Sequence, residues 1–254
     1  MLEQPHPSVP VEPHLTYIIA STMRTGSYLL CEGLEATGYA GHPQEIFCPE
    51  RHANYCGCWQ LPANTSFTNF LRTATQKCST ANGICGMKIH WHHVEPLALQ
   101  HEVGKPWRVL LKLFPGAKYI HLRRRDRRAQ AISWFRAQIT NEWWRVAGYV
   151  NKELTGKALK FYPTEIRRME IELERQQKGW DEFFAGQSVP VLVMEYEALA
   201  ADYRGEIARV LAFLGQDPGL AKIIPEPRLI CQSDAMTDEW HRLMDEKFPV
   251  QGER

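Results

Sequence analysis

The stretch from Thr16 to Gly38, "TYIIASTMRTGSYLLCEGLEATG", decides how the rest of the chain is read. Thr16 to Ala20 is a short, apolar, β-branched run, the pattern of a buried strand. From Ser27 the period changes. Leu30 and Leu34 lie four apart, with Leu29 and Gly33 beside them, as on one face of a helix. Between strand and helix is a tight loop of small polar residues with one arginine and one glycine. Such a loop aims backbone N–H groups and a helix N-terminus at one point, which suits an anion. Arg24, Thr25, Gly26 and Ser27 add a guanidinium, two hydroxyls and a residue that allows close backbone approach. The same residues equally describe an ordinary strand–helix turn whose hydroxyls cap the helix.

The loop lacks Gly-x-x-x-x-Gly-Lys-Ser/Thr and Gly-x-Gly-x-x-Gly. It has no lysine for a triphosphate and no adjacent hydroxyl for magnesium, so it suits a phosphate held without a metal. A second feature favours the anion reading. "HLRRRDRRAQAISW", residues 121 to 134, places an arginine cluster where a core strand ends, the place at which open α/β sheets bind ligands. Arg124 falls at the strand exit, and Ser133 two to three turns into the following helix. Cations at a helix start oppose the helix dipole, and a bound anion relieves that conflict. Two anion sites at two strand exits suit a ligand with two separated phosphates.

The 254 residues carry 30 Lys and Arg against 29 Asp and Glu, a balance that gives no reason to expect nucleic-acid or membrane-surface binding. A 44% hydrophobic content supports a sizeable core. The chain is therefore expected to be one domain over residues 15–254, preceded by a flexible, Pro-rich tail over residues 1–14. No run has the length of a membrane span, and the start shows no signal pattern. Seven cysteines, an odd number, are expected as free thiols in a reducing, cytoplasmic setting.

Further strands are expected in "ICGMKIHW" (84–91), "AKYIHLRR" (117–124) and "VPVLVMEYEAL" (189–199), the last as a buried strand. Helices are expected in residues 66–78, capped by Thr65 or Ser66, in "VEPLALQHEV" (94–103), and in residues 202–215. Two long helices, 126–148 and 163–186, have no strand between them and are expected to form a cap. Residues 48–64 show no period and are read as loop. Strands alternating with helices predict a parallel, right-handed α/β sheet.

Taken together, these pieces resemble the sulfotransferases that use 3′-phosphoadenosine 5′-phosphosulfate (PAPS), and more narrowly the bacterial trehalose 2-sulfotransferase-like family. The resemblance is carried by "ASTMRTGSYLLCEGLEATGYAGHPQEIF", "GMKIHW", "YIHLRRRDRRAQAISWFRA", "QQKGWDEFF", "VLAFLGQDP" and "QSDAMTDEW", in family order from Tyr17 to Trp240. It implies the sulfotransferase fold, a P-loop-NTPase-like parallel sheet flanked by helices. It implies that Arg24, Thr25, Gly26 and Ser27 bind the 5′-phosphosulfate and that Arg124 and Ser133 bind the 3′-phosphate. It implies Glu45, in "GHPQEIF", as the general base, a small-molecule carbohydrate acceptor and a homodimer. Arg24 would also stabilise charge on the leaving phosphate.

Lys88 and His90 alternate onto one strand face and are read either as leaving-group or acceptor contacts or as strand-end residues in solvent. Cys48, His52, Cys56 and Cys58 have no usual zinc spacing, and nothing completes a site around His90 and His92, so no metal is expected. Trp143 and Trp144 are read first as core or interface, and second as a sugar platform. Two other functions compete: a nucleotide phosphotransferase, and a non-catalytic anion-binding module that would have no need of Glu45.

Overall fold

The computed structural model describes residues 11–62, 64–146, 148, 159–229 and 233–249. The expected tail therefore falls mostly outside the described residues. Within its described part the His14 N–H donates to Gly83 O at 3.0 Å, and Gln76 donates to Glu12 at 2.9 Å.

Four strands, β1 (Leu15–Ser21), β2 (Ile84–His90), β3 (Lys118–Arg123) and β4 (Val191–Glu195), form one sheet in the order β2-β1-β3-β4. All three pairings are parallel. β1 lies inside the sheet, and its Tyr17, Ile18, Ile19 and Ala20 are fully buried. Because side chains alternate along a strand, β1 feeds two cores. Ile18 and Ala20 join Met87, Ile89 and Tyr119 on one face. Tyr17 and Ile19 join Ile84, Ile120, Leu122 and Met194 on the other.

The first face is covered by α3 (Phe67–Lys77), α4 (Trp91–Gln100), α5 (Arg108–Leu113) and the C-terminal half of α7 (Pro163–Gly186). The second is covered by α1 (Ser27–Ala36) and α9 (Tyr203–Leu214). A smaller apolar cluster joins α6 (Arg127–Thr140), the start of α7 and α10 (Ala235–Lys247) through Ile132, Phe135, Ile166, Leu173 and Trp240.

Ser66 is the N-cap of α3, its hydroxyl accepting from Asn69 N–H. Residues read as loop contain a helix, α2 (Pro49–Cys58). It starts on Pro49 with Glu50 in its first turn, and none of its residues is buried. Only Tyr55 and Cys56 pack, half-buried, against the first-face core, too few positions to mark a period in the sequence. α6 stops at Thr140 rather than near residue 148, because Asn141 takes a left-handed φ of 56° and ends the helix. The expected cap is not separate from the sheet. α7 runs from α6 down onto the first face, where Trp180 is fully buried and its indole N–H donates to Ser21 O at 2.8 Å. β4 is an edge strand with Val191 and Val193 exposed, and it ends at Glu195, where α8 (Tyr196–Ala201) begins.

Candidate active site

The C-terminal ends of the parallel strands open into a cleft of about 890 Å³. At one end lies the loop from β1 to α1. Arg24 and Gly26 both hold positive φ, 63° and 76°. A left-handed arginine is unfavourable backbone, kept here by its surroundings. Gly26 is the N-cap of α1 and offers no side chain to the helix N–H groups, so they open into the cleft uncapped. A Cβ at Gly26 would also stand 2.3 Å from Cδ2 of Tyr196, which follows β4 and covers the loop. Glycine is thus required twice, by its φ and by this ring.

Arg24 donates through Nε to Ser133 Oγ at 3.0 Å and through Nη1 to Trp143 O. Burial, and next the Arg124 cation, pull the Arg24 guanidinium down to about 10. Arg124 donates to Arg24 O at 3.1 Å and lies 4.7 Å over the Tyr196 ring. Its Nε is buried without a protein partner. A buried guanidinium N–H with no acceptor, beside uncapped helix N–H groups, is the donor set a phosphate-bearing ligand would complete.

The other end is built around Glu45. Gly41, at φ 72°, brings its chain within contact of β2: a Cβ there would stand 2.5 Å from Gly86 N. The following residues run beside β2, with Lys88 N–H donating to Gln44 O at 2.9 Å. This delivers Glu45 to the side chains of β2. Lys88 Nζ lies 2.7 Å from Glu45 Oε2, and both side chains are buried. The Lys88 ammonium also sits 3.4 Å from the Tyr28 ring centroid, and the Tyr28 hydroxyl donates to Glu45 Oε2 at 3.1 Å. Glu45 Oε1 faces His90 Nε2 at 3.4 Å and His93 Nε2 at 3.8 Å. His90 Nδ1 is bonded at 2.9 Å to Ser21 Oγ.

Burial pushes the Glu45 carboxyl up, but Lys88 beside it, with smaller help from His90 and His93, holds it below the usual carboxylate range. Burial also drives His90 well down and His93 to about 4. Both rings are therefore neutral near pH 7, and Lys88 is the charge that keeps Glu45 ionised. Burial, and then the Glu45 charge, raise the Tyr28 phenol, which stays protonated as a donor.

Arg24, Gly26, Ser27, Glu45, Arg124 and Ser133 all line this cleft. Thr25 does not: it is fully buried, and its hydroxyl donates to Thr22 O, bracing the loop from within. Of the arginines from 123 to 128, only Arg124 reaches the cleft. The helix-start conflict is met by carboxylates: Arg125 pairs with Glu195, Arg127 with Glu174, and Arg128 with Glu170 and Asp245. Lys88 is not in solvent.

Trp143 and Trp144 line the cleft rather than the core, with Trp144 exposed and its ring 5.6 Å from Tyr28. Cys48, His52, Cys56 and Cys58 do not converge. Among the described residues, the group close enough to share an ion is Glu45, Cys48 and His93. Tyr28, His93 and Tyr196 were not singled out from the sequence. For Tyr196, the position just past a strand end was the available signal. Residues 230–232 lie outside the described residues.

No helix among the described residues is long and apolar enough to cross a membrane. The chain is 28% identical to trehalose 2-sulfotransferase of Mycolicibacterium smegmatis over 88% of its own length and 92% of that protein's. It is 28% identical, with the same two coverages, to trehalose 2-sulfotransferase of Mycobacterium tuberculosis. The solved sulfotransferase domain from the curacin biosynthetic pathway superposes with a TM-score of 0.54 at 15% identity, covering 92% of this chain and 98% of that one, a likeness of fold. The pattern of the Stf0 sulphotransferases matches residues 16–246, nearly the whole described chain. A parallel sheet whose strand ends open on the loop from β1 to α1, and this match, agree: the chain is a sulfotransferase of the Stf0 family.

Proposed function

We propose that this sulfotransferase uses PAPS as donor and a hydroxyl of a small carbohydrate, trehalose or a sugar of similar size, as acceptor. One observation carries the reading: uncapped helix N–H groups, the unpartnered Arg124 Nε and an ionised Glu45 all front one cleft. In this reading the loop from Arg24 to Ser27 holds the 5′-phosphosulfate, Thr25 acting only through the backbone it braces. Arg124 and Ser133 hold the 3′-phosphate, and Arg24 offsets charge on the leaving phosphate. PAPS supplies an activated sulfuryl group for in-line displacement. Glu45 takes the acceptor proton at Oε1, the oxygen that Lys88 and Tyr28 do not engage and that the neutral His90 and His93 rings flank. Its low proton affinity makes it a mild base that is always ready, and Lys88 keeps it aimed. The acceptor class draws support from the relatives' name and from the aromatic faces of Tyr28 and Trp144 in the cleft wall.

The deciding experiment has two arms. Adenosine 3′,5′-bisphosphate is expected to raise the melting temperature well above the shift given by adenosine 5′-monophosphate or by ATP with magnesium. Labelled sulfate is expected to pass from PAPS to trehalose or a related disaccharide, undiminished by a strong chelator. Equal stabilisation by the mono- and bisphosphate would remove the 3′-phosphate site.

A further inference from the structure

We infer that the acceptor end of the cleft holds a site for a soft divalent cation such as Zn²⁺, made by the Glu45 carboxylate, the Cys48 thiolate and the His93 imidazole. Ligand atoms of these three residues lie within 4.8 Å of one another, a separation that small side-chain rotations close to the spacing of ligands around one ion. Carboxylate, thiolate and imidazole together are a donor set for zinc rather than for magnesium or calcium. The second observation is His93 itself. It is 3% exposed, and it turns Nε2 toward Glu45 Oε1, 3.8 Å away, so the buried ring presents a ligand nitrogen to the carboxylate.

The three ligands come from different parts of the fold. Glu45 is delivered by the segment beside β2, Cys48 is the N-cap of α2, and His93 is in the first turn of α4. All three line the cleft, so an ion can enter from solvent. Glu45 offers Oε1, which faces His93, while Lys88 stays on Oε2. Cys48 donates its thiol hydrogen to Glu50 Oε2 at 3.1 Å, so coordination releases that proton through a carboxylate already in contact. Glu50, in contact with Cys48, and His90, with Nε2 3.4 Å from Glu45 Oε1, also line the cleft and are candidates for a fourth ligand. An ion held here occupies the oxygen assigned to the acceptor proton. Its effect on transfer is therefore inhibitory, and chelator leaves turnover the same or higher.

The test is spectroscopic and independent of any acceptor. Co²⁺ is titrated into protein carrying C56A and C58A, which removes the thiols near His52. One equivalent is expected to produce an intense near-ultraviolet thiolate-to-cobalt band and to release about one proton per ion. Adding C48S is expected to abolish the band, and adding H93Q to weaken binding at least about tenfold. Zn²⁺ is expected to bleach the band by displacement. The inference is overturned if no band forms in the C56A/C58A protein. It is equally overturned if the band survives C48S, or if H93Q binds cobalt as tightly as its parent. C48A, read by the same band, serves if C48S fails to fold.

Discussion

The two ends of the cleft are built on opposite principles. The end at the β1–α1 loop is a cradle of backbone N–H groups and half-buried cations that line the cleft. Its donors come from Arg24 and Gly26, consecutive with β1, and from Arg124, the first residue past β3. The end at Glu45 is a buried charge network, assembled from Tyr28, Glu45, Lys88, His90 and His93 across several elements. A cradle of the first kind tolerates change, because water substitutes for a lost partner. A network of the second kind does not, because each charge depends on its partner for solvation.

The strongest way to break the contrast is Lys88→Met. Removing one partner of a buried ion pair is expected to cost about 3–5 kcal/mol, read as a fall in the denaturant midpoint. The double variant Lys88→Met with Glu45→Leu is expected to recover much of that, since no charge is then stranded. A cost below about 1 kcal/mol, the scale of a surface pair, would place both ends in the same class. Next is Glu45→Gln, which leaves an acceptor for Lys88 but no base. Sulfate transfer is expected to fall ~10²-fold or more, while calorimetric affinity for adenosine 3′,5′-bisphosphate changes little. Transfer within a few-fold of wild type would refute the base assignment.

Arg124→Ala is the mirror experiment at the other end. It is expected to weaken bisphosphate binding by ~1.5–3 kcal/mol, the scale of a charge-assisted hydrogen bond, and to leave the melting temperature of the free protein nearly unchanged. Equal affinities would show that Arg124 Nε is not a phosphate donor. The smallest effect concerns pH. Burial holds His121 on β3 down at about 4, with Gln177 at 2.9 Å. The unfolded chain binds that proton below about 6.5, so His121 contributes stability above this pH and loses it as the pH falls toward 4. His93 and Glu45 act in the same direction, Glu45 at lower pH. His121→Gln is therefore expected to flatten, not abolish, the decline in melting temperature between pH 6.5 and 4. An unchanged slope would assign all of it to the Glu45 end.

The same contrast explains what the sequence made legible. The cradle is local: strand, loop, arginine and glycine are contiguous, and Arg124 follows directly from the end of an apolar run. Each was readable from pattern and strand-exit chemistry. The direction of Thr25 was not, since a hydroxyl in a loop serves backbone or ligand equally well, and neither were Tyr196 over the loop and the carboxylates that meet the other arginines. The network is non-local. Nothing near Lys88 in the sequence says that Glu45 will lie 2.7 Å away, because that proximity depends on Gly41 bringing its chain against β2. Lys88 therefore read equally as a leaving-group or acceptor contact and as a strand-end residue in solvent. For α2, the missing signal was depth of burial: a helix that packs only Tyr55 and Cys56, half-buried, against the core writes no stripe.

The strand order also has a consequence for the chain as it is synthesised. β1 is the first strand made, yet it sits between β2 and β3. Its second neighbour is complete only when Arg123 has emerged, roughly 5–20 s after Ser21 at ordinary translation rates. During that interval "TYIIA", uncharged, β-branched and free of proline, has an unpaired edge. Pairing with β2 protects one side early, and the other stays open until β3 arrives. The segment that ends in the anion loop is thus also the one most exposed to misassembly on the ribosome. Slower elongation between residues 90 and 118 would lengthen that exposure and lower the yield of folded enzyme without altering a single contact in the finished protein.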